Sequence, residues 1–226
     1  MIKLTRGEIM VVAIDGPAGS GKGTITKLVA EKLNLIYIDS GATYRCVALA
    51  AIRNNIKLEE TDKIIELTKT LDINFDEEGR TFLNGEDVSK LIRTNEVTSI
   101  VSQISSIVAV REILVDLQRK MSIGKNVIME GRDITTVVFP NAEYKFYLDA
   151  TVEERAKRRF LQNKELGIES NMAEIIENIE MRDYNDMHKP VGALIRTDEQ
   201  IYIDSTNMTI DEVVEEIIKN IKKDVA

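Results

Sequence analysis

Nine residues, Gly16-Pro17-Ala18-Gly19-Ser20-Gly21-Lys22-Gly23-Thr24, combine a glycine pattern with a lysine in a way that could do chemistry. Glycines let the backbone turn tightly enough to aim successive N–H groups inward, and such a concavity holds an anion. Lys22 then adds a point charge for outer phosphates. The spacing matches G-x-x-x-x-G-K-[ST] except at the last position, where Gly23 stands and Thr24 follows. Thr24 would reach a Mg²⁺ directly or through water. A glycine-rich turn can also serve plain connectivity. Here the glycines, the lysine and the flanking pattern agree on phosphate binding, but they do not specify a reaction.

More candidates follow further along. In Asp39-Ser40-Gly41-Ala42-Thr43-Tyr44-Arg45, Ser40 could cap a helix or meet a ligand, Tyr44 offers a stacking face and Arg45 a phosphate-binding fork. In Glu130-Gly131-Arg132-Asp133, a carboxylate at a strand end is placed to hold Mg²⁺ and its waters, while Arg132 and Asp133 could form only a surface pair. Arg155, Arg158 and Arg159 lie at i, i+3 and i+4, on one helix face, either as a phosphoryl clamp or as a solvated face paired with Glu153 and Glu154. The polar stretch Asn163–Asn171, with Gly167, reads as a loop able to close over them. Arg182 and Asp186 at i, i+4, then Lys189, read as a binding set or as ordinary paired charges. The sole histidine, His188, is given no role, and with one cysteine, Cys46, neither a nucleophile triad nor a zinc cluster is favoured.

A phosphate cradle, a lysine, a strand-end carboxylate and arginines in separate segments form the inventory of phosphoryl transfer, where catalysis is mostly positioning and charge stabilisation. A GTPase switch would need N-K-x-D, and the nearest string, Asn163-Lys164-Glu165-Leu166, ends in leucine. A regulatory nucleotide-binding protein would not need Arg45, Arg132 and Arg182 for a second phosphate.

Alternating strands and helices must position these residues. The apolar runs Ile9–Ile14, Leu35–Asp39, Asn126–Glu130, Tyr144–Leu148 and Gln200–Asp204 read as buried strands of a parallel, doubly wound sheet. Helices are expected at Gly41–Asn54, Glu59–Leu71, Val97–Met121 (in one or two pieces), Thr151–Glu165, Met172–His188 and Thr209–Lys222, the last opened by a capping box of Thr209 and Glu212. A small hairpin joins Asp72–Phe75 to Thr81–Leu83. The gap between the second and third strands is too long for one crossover and should hold an inserted subdomain. Ligands in such sheets sit beyond the carboxyl ends of the strands, where the candidates fall. The 226 residues suffice for one large α/β domain. A net charge of −8 argues against broad nucleic-acid binding, and a single cysteine fits a reducing compartment. No apolar run reaches the ~18 residues of a membrane span, and Ile9–Ile14 is too short for a signal peptide, so a cytoplasmic protein is expected.

These stretches resemble the bacterial-type cytidylate kinases over essentially the whole length. Ile14–Thr24, Asp39–Arg45, Gly131-Arg132-Asp133 and Thr136-Val137-Val138-Phe139-Pro140 carry the resemblance. So do Asn84–Ser89 with Ile92-Arg93, which look like the family's insert, and Glu153–Arg159, which look like the start of its lid. The resemblance implies a P-loop three-layer α/β fold with a five-stranded parallel sheet, one domain over 1–226, a monophosphate-binding insertion at about 39–121 and a lid at about 154–172. It further implies transfer of the γ-phosphoryl group of ATP to CMP or dCMP with Mg²⁺, by a monomer. Gly16–Thr24 would bind ATP. Ser40, Tyr44, Arg45, Ser102, Arg111, Gly131, Arg132, Asp133, Arg182, Asp186 and Lys189 would bind the monophosphate. Lys22, Arg132, Arg155, Arg159 and Arg182 would be catalytic, and Thr24 or Glu130 would reach the metal through water. UMP and AMP kinases are the alternatives. Departures from the family pattern are Glu130 for aspartate, Thr135 for glycine, Lys189 for arginine and Ala193-Leu194 for Pro-Leu. Lysine lacks the bidentate fork, which bears on sugar recognition.

Overall fold

The computed structural model describes residues 9–76, 78–165 and 167–223. Glu77, in the expected hairpin turn, and Leu166, in the expected lid, lie outside the described residues. In chain order the elements are β1 (Val11–Asp15), α1 (Lys22–Leu33), β2 (Ile36–Asp39), α2 (Ser40–Arg53), α3 (Thr61–Thr70), β3 (Ile73–Phe75), β4 (Thr81–Leu83), β5 (Glu86–Asp87), α4 (Asn95–Ile104), α5 (Val108–Ser122), β6 (Val127–Gly131), β7 (Tyr144–Asp149), α6 (Val152–Glu165), α7 (Met172–Met187), β8 (Ile201–Asp204) and α8 (Ile210–Lys223). A 3-10 turn covers Leu91–Arg93 and a π-helical turn covers Ile134–Val138. The five expected strands form one sheet in the order β2-β6-β1-β7-β8.

Two compact units divide the chain, one from the described residues of 1–35 and 126–226, the other from 36–125. In the first, β1 pairs in parallel with β6 and β7, and Asp15 stands level with Gly131 and Tyr147. β7 pairs in parallel with β8, bringing Asp149 opposite Asp204. Val12, Ala13, Ile14, Ile128, Phe146 and Leu148 are fully buried, which is why these runs read as continuous apolar stretches rather than alternating ones. The carboxyl ends of three neighbouring strands thus lie at one level, and the glycine-rich loop leaves from the central one.

The second unit packs α2, α3, α4 and α5 around its own core, with Cys46, Ile64, Ile73, Ile92, Ile104 and Leu114 at its centre. Its antiparallel sheet has three strands, in the order β3-β4-β5. The sequence gives the expected hairpin but not β5. That strand is only two residues long, although Asn84 and Gly85, both at positive φ (51° and 84°), are the turn pair that precedes such a strand. The helical stretch expected over Val97–Met121, in one or two pieces, is two helices. Ser105 and Ser106 both turn their hydroxyls onto the Ser102 carbonyl (3.0 and 2.8 Å), and Ile107 is extended. Serine hydroxyls competing for helical carbonyls favour such a break.

Helix ends follow the expected chemistry with one correction. Asp39, not Ser40, caps α2 by accepting a hydrogen bond from Ala42 N (3.0 Å), and Ser40 is already the first helical residue. At α8, Thr209 N donates to Glu212 Oε2 (2.8 Å) and Glu212 N to Thr209 Oγ1 (3.3 Å), the reciprocal capping box legible in the sequence. The loop expected from Asn163 starts later, because α6 runs on to Glu165. Asn171 then caps α7 through Ala173 N.

Candidate active site

The loop between β1 and α1 is shaped by three glycines at positive φ, Gly16 (153°), Gly19 (78°) and Gly21 (88°). A Cβ at Gly16 would stand 2.0 Å from the Leu148 carbonyl oxygen of β7, so no other residue fits without moving the sheet. Gly21 opens α1 with no side-chain cap, and the first turn contains no acidic residue. The amides there have no side-chain acceptor, a donor set that suits a phosphate. Lys22 Nζ is buried inside the loop and donates to Gly16 O (2.7 Å), Pro17 O (2.7 Å) and Ser20 Oγ (3.3 Å). Burial, with Arg132 nearby, pulls its ammonium down to about 7, against the opposing pull of Glu130, Asp15 and Asp186. Gly23 is half-buried and Thr24 exposed on the first turn of α1.

Two arginines of α6 grip this loop from outside. Arg155, 3% exposed, donates through Nη1 to Ala18 O (2.9 Å), through Nε to Ala150 O (3.0 Å), and through Nη2 to Asp183 of α7. Arg158 Nη1 reaches Ser20 O (3.3 Å), and its Nη2 donates to Ser205 O (2.7 Å); Nε meets Glu154. Arg159 is exposed and bonds Gln162. The three arginines that share one face in the sequence therefore separate: two bind the protein's own carbonyls and one faces solvent.

At the end of β6 Glu130 and Gly131 are buried, as is Asp133 just after it, and Arg132 Nε donates to Asp186 Oδ2 (2.7 Å). Lys189 Nζ lies 3.0 Å from the other Asp186 oxygen. Burial alone would raise the Asp186 carboxyl, but Arg132 and Lys189 outweigh it and hold it at about 2. The same pairing raises Arg132 against burial. Arg182 is exposed on α7. His188 stacks on Tyr184 with ring centroids 4.0 Å apart.

The second unit carries its own polar group. Burial would raise Asp39, but Arg45 and Arg93 lower it below the usual carboxylate range. Arg93 Nη2 donates to its Oδ2 (3.0 Å), and Arg45 Nη1 stands 3.5 Å from that oxygen, an ion pair without a hydrogen bond. Arg111, also buried, lies over the Tyr44 ring (5.4 Å) and donates to Ser105 O (3.2 Å). Ser40 is buried and Ser102 exposed. Sequence reading picked out Arg45, Tyr44 and Arg111 but not Asp39, the carboxylate that Arg45 and Arg93 share, whose place at the end of a strand was its only signal.

Three more residues escaped it. Asp15, fully buried, accepts from Ile134 N (2.8 Å), Thr135 N (2.8 Å) and Thr135 Oγ1 (2.6 Å). Gln200 Nε2 donates to that same hydroxyl oxygen. Asp183 receives Arg155. A carboxylate just before the glycines was the signal for Asp15; Gln200 and Asp183 left none, because their partners are far away in sequence.

Comparison with known proteins bears on the whole chain. The chain is 47% identical over 223 residues to the cytidylate kinase of Caldanaerobacter subterraneus subsp. tengcongensis, covering 99% of this chain and 97% of that one. It is 47% identical over 215 residues to that of Fusobacterium nucleatum, covering 95% and 98%. In fold alone, it is similar to crystal structures of an uncharacterized protein from Eubacterium ventriosum (TM-score 0.53, 12% identity, covering 96% and 99%) and of TT1252 from Thermus thermophilus (0.50, 14%, 97% and 99%). The model of the family described as cytidylate kinase matches residues 12–223, from inside β1 to the end of α8, so this chain belongs to the cytidylate kinase family.

Proposed function

We propose that this protein transfers the γ-phosphoryl group of ATP to CMP and dCMP, giving CDP and dCDP. The observation that carries this reading is the buried Lys22 inside a glycine loop whose amides lack side-chain acceptors, in a chain of this family. Gly16–Thr24 would wrap the ATP phosphates, with Lys22 exchanging its loop carbonyls for phosphate oxygens. A triphosphate holds the lysine's proton against burial, so binding would raise its depressed pKa. When bound, Mg²⁺ neutralises charge on the transferred phosphoryl group. Glu130 and Thr24 suit the oxygen chemistry that Mg²⁺ prefers, through water.

On the acceptor side, Ser40, Tyr44, Arg45, Ser102 and Arg111, with Gly131, Arg132, Asp133, Arg182, Asp186 and Lys189, would hold the monophosphate, its base and its sugar. The acceptor is itself an anion, so bringing two phosphates together is the harder task than removing a proton, and arginines outnumber acid–base groups accordingly. Arg132 and Arg182 would neutralise the approaching charges. Arg159, exposed on α6, would do so from the lid. Arg155 would act beside them, from its place against Ala18 O. The partners are small nucleotides, and among the described residues no helix is long and apolar enough to cross a membrane. A cytoplasmic monomer is the form we assign.

The test is an ATP-dependent coupled assay over CMP, dCMP, UMP, AMP, GMP and shikimate. CMP and dCMP should lead clearly. Preference for UMP or AMP would overturn the substrate but keep the kinase, whereas hydrolysis indifferent to acceptor would overturn the kinase.

A further inference from the structure

We propose that Asp15 is a positioning residue for phosphoryl transfer, and that Gln200 and Thr135 form a buried relay that keeps its carboxylate aimed at the turn following Arg132. The proposal rests on the kinase reading above and adds three residues to it.

The geometry is closed on every side. Both Asp15 oxygens are used: Oδ1 accepts from Ile134 N (2.8 Å), and Oδ2 from Thr135 N (2.8 Å) and Thr135 Oγ1 (2.6 Å). Those two amides are the first of the π-helical turn Ile134–Val138, a turn with no side-chain cap from its own preceding residue. Asp15 supplies that cap from the neighbouring strand. A hydroxyl has one proton, and it goes to Asp15; Gln200 Nε2 donates to the oxygen and so leaves that proton only one direction. Gln200 is itself fixed, because its Oε1 accepts from Thr197 N (2.7 Å) and its Nε2 also reaches Ile195 O (3.3 Å). Asp15, Thr135 and Gln200 are all buried, so these bonds are made away from bulk solvent.

The carboxylate sits between the two halves of the chemistry. It is the residue before Gly16, and it ties down the chain two residues after Arg132. Four charged or titratable groups face it: Lys22 on α1, Arg132 and Asp133 after β6, and Tyr147 on β7. Its charge supports the protonated Lys22 and Arg132, and it adds to burial and the nearer pull of Asp149 in raising the Tyr147 phenol to about 12. Thr135 supplies the hydroxyl on which Asp15 and Gln200 converge. Burial lifts the Asp15 carboxyl to about 6, while the bonds from Thr135 and Ile134 pull it down. Losing the hydroxyl must therefore raise it further, because a hydrogen bond to the charged form is removed. As Asp15 protonates, the amide cap weakens and Lys22 and Arg132 lose a nearby negative charge. Turnover should fall on the acid side.

The experiment compares pH profiles of kcat and kcat/KM for the wild type, Thr135→Val, Thr135→Ser and Asp15→Asn, together with the ¹³C carboxyl titration of Asp15 in the wild type. The expected results are an Asp15 midpoint well above the ordinary carboxylate range, an acid limb moved upward by about half to one pH unit in Thr135→Val, and return to the wild-type limb in Thr135→Ser. Asp15→Asn should lower kcat on the order of tenfold or more and remove that acid limb. A folded Thr135→Val whose limb superimposes on the wild type would overturn the relay, as would an Asp15 midpoint below 4. A merely structural role would lower kcat equally at every pH and also overturns it. If Thr135→Val does not fold, the wild-type titration decides. Wild-type protein with no CMP or dCMP turnover would instead overturn the kinase reading, a separate outcome.

Discussion

Lys22 occupies a position that costs the folded chain stability. Its ammonium is buried, and its pKa near 7 lies below the ordinary 10.5. Between those values the unfolded chain binds more protons than the folded one. The contribution of Lys22 is therefore least favourable below pH 7 and recovers as pH rises, by about 1.4 kcal/mol per unit. We expect the unfolding free energy of the wild type, relative to Lys22→Met, to climb from pH 7 to pH 9 in urea titrations at each pH. A flat difference would mean that Lys22 stays fully charged in the fold. For activity the same residue should be indispensable: Lys22→Ala should lose on the order of 10²-fold or more in kcat while keeping its circular dichroism. A side chain that weakens the fold and is needed for turnover is the usual signature of a site built for a ligand.

Among the elements, α6 and α7 are joined by a small apolar core and by one buried ion pair. The core between them is small, Ala156, Ile175 and Ile179 with partly buried Val152, Phe160 and Ile176, whereas Arg155 and Asp183 join them through a buried bond. Removing one partner leaves a buried charge uncompensated. Asp183→Ala should therefore cost about 3–5 kcal/mol, measured by urea unfolding, whereas an exposed pair such as Lys69–Glu66 should cost less than about 1 kcal/mol when broken. The sequence reveals these elements unevenly. The five strands, the phosphate loop and the capping box at Thr209 could be read directly, because each is written in contiguous residues. Arg155 was visible as a member of an arginine face, but not its direction, since Ala18 O, Ala150 O and Asp183 meet it only in the fold. A break between α4 and α5 was open in the sequence, but its place, like the two-residue β5, turns on local hydrogen bonds that periodicity does not register. Asp15, Thr135 and Gln200 join across 65 and 120 positions, beyond any spacing rule.

At the scale of the whole molecule, ligand and stability should be linked. A non-hydrolysable ATP analogue with Mg²⁺, at a hundred times its Kd, should stabilise the protein by about 2.7 kcal/mol, raising Tm by several degrees; Lys22→Ala should show little shift at the same concentration. Gly16→Ala should be far more damaging than a substitution on the surface, because its methyl group meets the Leu148 carbonyl and can move only by displacing β7. The grip of α6 on the phosphate loop has a consequence for the thermodynamics of association. Arg155 and Arg158 hold the carbonyls of Ala18 and Ser20, bonds that do not involve Lys22 and so need not break when a phosphate arrives, and they set the path of that part of the cradle. Little backbone freedom is left for a nucleotide to remove. Calorimetry of triphosphate binding should therefore show a small conformational penalty for the stretch around Ala18 and Ser20, where Arg155 and Arg158 act as the mould in which the seat is cast.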